Sequence, residues 1–212
     1  MIDHFGIDCA ALELGAESSP TRTGTTSKRF STERSVGCMA ESDAAAQELL
    51  RDAFTRLIEH VDEITEGLTD DQSKYRPSPN ANSIAWLIWH SARVQDIQLA
   101  HIAGVEQVWT RDGWVDRFGL DLPRDDTGYG HSPEDVAKVQ APADLLAGYY
   151  HAVHEFTCEY IEKVTADELG RVVDANWDPP VTASMRLISI VDDCAQHLGQ
   201  AAYVLGIAHR RT

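Results

Sequence analysis

Apolar residues recur every three or four positions along four long stretches of the chain, which is the period of a helix with one buried face. In the first stretch, for example, Phe54, Leu57 and Val61 share that face. Hydroxyl side chains that could act as N-caps, such as Ser42 and Thr182, stand where two of these stretches begin. The pattern predicts four helices, at about Ser42–Thr65, Ser83–Trp109, Pro142–Val164 and Thr182–Ala208.

Four amphipathic helices and a near absence of alternating strand patterns favour an all-α fold, an antiparallel four-helix bundle. Pro77 and Pro79 exclude a continuous helix between the first two helices. The connection between the second and third helices, residues 110–141, is rich in Gly, Asp and Pro, and one short helix is predicted after Ser132. Long ordered loops of this kind usually cover a functional site, so we expect this connection to do so.

The N-terminal region differs from the rest of the chain. Residues 18–35 are rich in Ser and Thr and have few large apolar side chains, so they cannot bury enough surface to offset the entropy of ordering. We therefore expect residues 1–38 to be a disordered extension and residues 39–212 to be the folded domain. An alternative explanation is that translation begins at Met39, and that the extension comes from a misassigned start.

The negative net charge of the chain makes some classes of binding partner less favourable than others. The 212-residue chain has 34 acidic and 18 basic side chains and a formal net charge of −16, which disfavours binding to nucleic acid or to an anionic membrane. No stretch is apolar over the ~20 residues that a membrane-spanning helix needs, and residues 1–15 lack the pattern of a signal peptide. The four cysteines are widely spaced, which favours reduced thiols in a cytoplasmic protein. We therefore expect small-molecule partners.

Two predicted helices carry the side chains best suited to bind a metal ion. His90 lies four residues from both Trp86 and Val94, and the three share one side of the second helix. Asp193 and His197 are also four residues apart, within an apolar stretch, so both could contact one ion. A buried, unpaired carboxylate is costly and favours a cation or a strong donor beside it. The alternative is that both histidines are core residues that hydrogen-bond to their surroundings.

The segments NSIAWLIWHSARVQD and DDCAQHLGQAAYVLG resemble the DinB-like superfamily of metal-dependent four-helix bundles. In that superfamily, a His of the second helix and an acid-or-His-x-x-x-His pair of the last helix bind a divalent metal. The resemblance implies that His90, Asp193 and His197 are the ligands here. Many members have His at the position of Asp193. The acid version of the pair is similar to the one in the metal domain of mycothiol-dependent maleylpyruvate isomerase. Over residues 42–212 the chain is most similar to the actinobacterial mycothiol S-transferases.

The resemblance also implies a reaction. Two neutral His and one carboxylate would leave a divalent ion, expected to be zinc, with an open position. Such an ion deprotonates a thiol at neutral pH, so the expected activity is conjugation of mycothiol to electrophilic small molecules, as in detoxification. Two alternatives stay open: a metal-dependent hydrolase or isomerase on the same bundle, and a non-enzymatic helical binding module. A homodimer is also compatible with the sequence.

Further side chains are candidates for contact with substrate: Trp86, Trp89, His131 and Gln200. His131 belongs to the long connection and could face the metal, although a surface position is the simpler interpretation. The two tryptophans could equally be core residues. His154 is the alternative metal ligand should His90 not serve, and Cys194 is interpreted as a small core residue rather than a nucleophile.

Overall fold

Four long helices form the body of the protein. The computed structural model describes residues 33–211, with side chains described from residue 41 onward. In chain order the elements are α1 (Glu33–Thr65), α2 (Asp70–Ser73), α3 (Ile84–Ala103), α4 (Val108–Arg111), α5 (Trp114–Phe118), α6 (Pro133–Lys138), α7 (Ala143–Ile161), α8 (Ala166–Gly170), the antiparallel strands β1 (Val172–Asp174) and β2 (Val181–Thr182), and α9 (Ala183–His209). The prediction of an all-α fold is confirmed. No helix among the described residues is long and apolar enough to cross a bilayer.

Two helix boundaries differ from those predicted. α1 begins at Glu33, so Ser42 lies inside the helix and does not cap it. α3 does not continue to Trp109, because Gly104 adopts a left-handed conformation with φ of 68° directly after its last turn. Glycine adopts this conformation without a steric penalty and commonly ends helices in this way. The expected extension at residues 1–38 lies mostly outside the described residues and stays a prediction.

Hydroxyl caps begin the two helices that carry the candidate metal ligands. The Ser83 hydroxyl accepts a hydrogen bond from the backbone N–H of Trp86, and the Thr182 hydroxyl accepts one from Met185. These bonds satisfy N–H groups that have no partner within the helix. They also mark where each helix starts, as the sequence predicted for both positions.

The central helix of the fold is α3, which packs against α7 and α9, while α1 packs against the same two helices. Every residue from Ile84 to Arg93 is buried. The helices α3 and α9 are antiparallel: the Cys194 thiol lies 3.5 Å from the carbonyl oxygen of Ser91, whereas Leu87 lies near Val204. This arrangement brings the middle of α3 against the middle of α9.

The connection between α3 and α7 folds over α3 and is anchored by two buried side chains, Arg93 and Asp96. The Asp96 carboxylate accepts hydrogen bonds from the N–H groups of Val108 and Trp109, at 2.9 and 2.8 Å, where α4 begins. The Nε of Arg93 donates to the carbonyl oxygen of Asp126 at 3.0 Å. The long connection is therefore held against α3 at two separated points.

Candidate metal centre

Three side chains from α3 and α9 converge between these helices. One potential ligand atom from each of His90, Asp193 and His197 lies within 4.8 Å of the others, and the two imidazole centroids are 4.7 Å apart. Within the residues whose side chains are described, no other group of three His, Cys, Asp or Glu residues is placed to share an ion. The structure thus brings together the three residues that the sequence pointed to.

The helical repeat explains this convergence. Asp193 and His197 are about one turn apart and project from the same side of α9. The antiparallel packing of α3 places His90 opposite them. Asp192 is exposed on the outer side of the helix, where the Gln196 amide donates to its carboxylate at 2.9 Å. Asp193 is the less exposed of these two neighbouring acids and is the one that faces the histidines.

Hydrogen bonds orient both imidazoles in the same way. The Nδ1 of His90 bonds to the carbonyl oxygen of Thr127, and the Nδ1 of His197 bonds to the carbonyl oxygen of Asp193 at 2.8 Å. Because a carbonyl oxygen only accepts, each Nδ1 carries the proton and donates it. The Nε2 of each ring is left with a free lone pair. Histidines that bind metals are held in this manner by an acceptor behind the ring.

Burial sets the electrostatics of the centre. It lowers the pKa of His90 to about 4, so this imidazole is neutral at neutral pH and able to bind a cation. Burial also raises the pKa of Asp193, whose Oδ2 is buried and has no hydrogen-bond partner. A buried carboxylate oxygen without a partner is unfavourable, and the Nδ1 of His197 lies 3.6 Å from it, beyond hydrogen-bond distance.

These donors fit a divalent metal ion. Two imidazole nitrogens and one carboxylate oxygen are a common ligand set for zinc in enzymes, where three protein ligands leave a fourth position for water or substrate. A cation bound here would also provide the missing partner of the Asp193 carboxylate. The arrangement could therefore hold an ion and still admit a small molecule to it.

The long connection reaches the centre through residues 126–131, here called the site loop. Gly128 has φ of 90°, in the left-handed region. A Cβ at this position would lie 2.9 Å from Nδ1 of His90 and 3.0 Å from ring atoms of both Trp86 and Trp89. Both the backbone conformation and the lack of space therefore require glycine. The long connection thus contacts the candidate ligand His90 through this loop, and that it covers a functional site stays a prediction.

A chain of hydrogen bonds joins the site loop to the ring beside His90. The Trp86 indole stacks on the His90 imidazole, with centroids 4.5 Å apart and ring planes 17° apart. Its N–H donates to Nδ1 of His131 at 3.1 Å, so the proton of His131 is on Nε2, which donates to the Asp126 carboxylate at 2.9 Å. Both nitrogens of His131 are thereby used, and this residue positions Trp86 rather than binding a metal.

Comparison with known proteins identifies the family of the chain. A model of the mycothiol S-transferase family matches residues 49–205 of the chain. The chain belongs to the mycothiol S-transferase family. A crystal structure described as the conserved protein of locus from Enterococcus faecalis is 34% identical to it, with a TM-score of 0.70, and covers 74% of this chain and 94% of that one. No curated protein matches the chain.

In this mycothiol S-transferase family member, the other predicted site residues have different positions. Trp86 contacts the candidate ligand His90 directly, whereas Trp89 packs in the aromatic cluster behind it, 6.1 Å from the His131 ring. The interpretation of His131 as a surface residue is wrong, because its side chain is only 6% exposed. Gln200 lies one turn beyond the candidate ligands and lines an open cleft.

The alternative ligand His154 does not reach the centre. It lies on α7, where its Nε2 contacts the thiol of Cys158 at 3.5 Å, and it is absent from the group of possible ligands. Cys194 is fully buried in the core between α3 and α9, as the sequence predicted. Among the eight histidines whose side chains are described, the helical pattern therefore identified the pair whose rings face each other, His90 and His197.

Sequence reasoning missed the residues that orient the candidate ligands. The carbonyl of Thr127 and the side chains of Asp126 and Arg93 lie in no recognisable motif. The one available signal was the Gly128-Tyr129-Gly130 sequence, since two glycines around an exposed aromatic residue indicate a loop with special backbone angles. Nothing in a linear sequence indicates which side chain such a loop will contact.

Proposed function

We propose that this protein is a metal-dependent thiol S-transferase that conjugates mycothiol to electrophilic small molecules. His90, Asp193 and His197 would hold the ion, for which zinc is the best match to the donors. The observation that carries the proposal is the convergence of His90, Asp193 and His197, whose potential ligand atoms lie within 4.8 Å of one another, together with the buried, unpartnered Oδ2 of Asp193. Membership of the mycothiol S-transferase family supports the choice of thiol.

The chemistry needs a thiolate. A divalent ion in this centre would lower the pKa of a thiol beside it far below the ordinary value of about 8.5. The sulfur then forms a bond to an electrophilic carbon, and a halide leaves with the bonding electron pair, or an enone takes up the released proton. The protein's part is to hold the thiol and the electrophile together, which removes much of the entropic barrier.

Among the residues whose side chains are described, the two thiols are poor candidates for the nucleophile. Burial raises the pKa of Cys194 well above its usual range, and burial also raises the pKa of Cys158. Cys158 lies on α7, away from the candidate metal centre. A small-molecule thiol is therefore the better source of the attacking sulfur. The proposed reaction is of the kind that detoxifies reactive compounds. Its proposed electrophiles are haloarenes, alkyl halides and enones.

The test combines metal analysis with a thiol assay. Bound divalent metals are first quantified in the purified protein, and the loss of free thiol is then followed with chlorodinitrobenzene and either mycothiol, glutathione or cysteine. We expect conjugation to be fastest with mycothiol, to cease with a chelator and to return with zinc. Consumption of an electrophile without loss of thiol would instead indicate a hydrolase or isomerase. Absence of both bound metal and any response to metal would favour a binding module.

A further inference from the structure

A cleft of about 310 Å³ lies beside the candidate metal centre, between the start of α3, the turn before it and the C-terminal half of α9. Leu87 and Val204 form its apolar part. Leu87 is three residues before His90, and Gln200 is three residues after His197, so each lies about 4.5 Å from a candidate ligand along its helix axis. The cleft and the centre are therefore neighbours on the same pair of helices.

Four side chains around this cleft offer hydrogen bonds that no other described residue uses: Asn80, Asn82, Gln200 and Tyr203. Each amide has two N–H donors and a carbonyl acceptor, and the phenol has one donor and can also accept. The Tyr203 side chain stands out from α9, since this residue is 69% exposed. We call this feature the amide cleft.

The chemistry of the amide cleft favours one class of ligand. Its lining contains no Asp, Glu, Lys, Arg or His, so it offers no counter-charge to an ionic ligand. A purely apolar ligand would leave the amides without partners, which is costly wherever they become buried. Neighbouring hydroxyl groups both donate and accept and so match the amides, while the C–H face of a sugar ring can pack on Leu87, Val204 or the ring of Tyr203.

The turn that carries the two asparagines is held in place before any ligand binds. The guanidinium of Arg76 donates to the carbonyl oxygens of Pro79 and Ala81, on either side of Asn80. It also donates to the carbonyl oxygen of Pro133 at 2.9 Å, where α6 begins. A wall that is already ordered loses less conformational entropy when a ligand binds.

We propose that the amide cleft binds the sugar part of the thiol co-substrate, an inference that rests on the proposed transferase function. Mycothiol has its cysteinyl thiol on an amino sugar joined to inositol, so one end is a nucleophile and the other is a neutral polyol. With the polyol in the amide cleft, the thiol end extends toward the candidate metal centre one helical turn away. The cleft thereby selects a glycosylated thiol over a simple one.

The first experiment measures binding without any reaction. The thiol-free pseudodisaccharide glucosaminyl-inositol is titrated into the full chain in a calorimeter, for the wild type and for Gln200→Leu and Asn82→Ala. Loss of one hydrogen-bonding amide should weaken binding by roughly 3- to 10-fold. The matched control is Gln196→Leu, because Gln196 lies one turn earlier on α9 and its amide bonds to Asp192 outside the cleft. Its affinity should stay within about twofold of the wild type.

The second experiment separates recognition of the sugar from the chemistry at sulfur. Conjugation rates are measured with mycothiol and with N-acetylcysteine, which has the thiol but lacks the sugar. We expect Gln200→Leu to raise KM for mycothiol by roughly 3- to 10-fold with kcat nearly unchanged, and to leave kcat/KM for N-acetylcysteine at the wild-type value. Metal content and Tm are measured for each variant to confirm that the centre and the fold are intact.

The outcomes distinguish the two proposals. If the wild type binds the pseudodisaccharide through Gln200 but conjugates no thiol, the amide cleft stands and the transferase function fails. If both thiols are conjugated but the pseudodisaccharide does not bind, the amide cleft is refuted while the transferase function stands. If Gln200→Leu lowers kcat/KM equally for mycothiol and N-acetylcysteine, the amide cleft is also refuted, because Gln200 would then act at the candidate metal centre.

Discussion

At the scale of single residues, we expect Asp193 to decide whether two neighbouring histidines can bind a cation. It is the only anion among the three converging side chains, and its Oδ2 is buried without a partner. We expect the metal-free protein to lose some stability here, since the desolvation of this one oxygen is not compensated, although the Asp193 side chain as a whole is 36% exposed. The same buried oxygen that favours a bound cation is therefore expected to lower the stability of the metal-free protein.

Replacing Asp193 tests this directly. Asp193→Ala should reduce zinc affinity by more than about 100-fold, beyond the 10- to 100-fold typical of losing a residue that merely orients a ligand. The free energy of unfolding of the metal-free protein should be unchanged or slightly higher. Asp193→His should recover part of the metal binding, because it supplies a third imidazole. Zinc affinity by competition with a chromogenic chelator and urea unfolding would measure both effects.

Asp192→Ala is the matched control, one position away on the exposed side of α9. It should keep both metal content and stability. If Asp192→Ala instead loses metal while Asp193→Ala keeps it, the carboxylate that binds has been misidentified. Normal zinc affinity in both variants would indicate that the histidines are core residues and not ligands.

Gly128 offers a second residue-scale prediction, with Gly130 as its control. Both have left-handed backbone angles, with φ of 90° and 73°, but a Cβ would meet His90 and the tryptophans only at Gly128. Gly130→Ala should cost about 1–2 kcal/mol of stability from backbone strain alone. Gly128→Ala should cost more and should also weaken zinc binding about 10- to 100-fold by moving the Thr127 carbonyl away from His90. Equal zinc affinity in the two variants would show that the site loop does not support the ligand.

At the scale of elements, hydrogen bonds of Arg93 and Asp96 attach to α3 the long connection that carries the site loop to the candidate metal centre. The attachment is polar and centred on the buried side chains of Arg93, Asp96 and Tyr149. The Asp96 carboxylate accepts from the start of α4 and also from the Tyr149 hydroxyl at 2.8 Å. Arg93 donates to Tyr149 at 3.1 Å and to Gln107 at 2.9 Å. Because every buried polar group here depends on the others, the network behaves as one unit.

We therefore expect Asp96→Asn to destabilise the protein by about 2–4 kcal/mol in urea unfolding, because an amide N–H would face backbone N–H donors and Arg93 would lose its anion. Asp112→Asn is the comparison: this carboxylate pairs with Arg111 at 2.8 Å, but both side chains are substantially exposed. Its loss should change stability by no more than about 1 kcal/mol. Similar effects for the two substitutions would mean that the network does not anchor the connection.

At the scale of the whole molecule, the apolar core is large enough to fold without metal. Buried side chains from all four long helices form one continuous cluster, in which Phe54, Ile88, Tyr150 and Leu187 are completely buried. The candidate metal centre lies at the edge of this cluster and joins only α3 and α9. A metal ion should therefore raise the stability of a protein that is already folded.

Removal of metal tests this expectation. An ion that binds only the folded state adds about 2.7 kcal/mol when its concentration is 100 times Kd, and each kcal/mol shifts Tm by about 2–4 °C for a chain of this size. Excess chelator should lower Tm by several degrees while the circular-dichroism signal of the helices persists at 25 °C, and zinc should restore Tm. Loss of helical signal on chelation would show that folding requires the ion, and an unchanged Tm in protein shown to hold metal would contradict a site shared between two helices.

The helices were predictable because their cause is local. Periodic apolar residues, the hydroxyl caps at Ser83 and Thr182 and the spacing of Asp193 and His197 all act within a few residues of one another. The errors arose where two local signals compete. The apolar pattern of α3 continues past Gly104, yet the left-handed conformation of this glycine ends the helix. In α1, Ser42 could cap a helix but lies within one.

The sequence alone determined that four amphipathic helices form and which side of each is apolar, and it placed His90, Asp193 and His197 on such sides. Only the tertiary structure decided that α3 and α9 are antiparallel neighbours, with those three residues at the same level. The tertiary structure also decided that Thr127, Gly128 and His131, in the middle of a long connection, pack against His90 and Trp86. The physical reason is separation along the chain: the site loop reaches α3 through the buried contacts of Arg93 and Asp96, which no local pattern encodes.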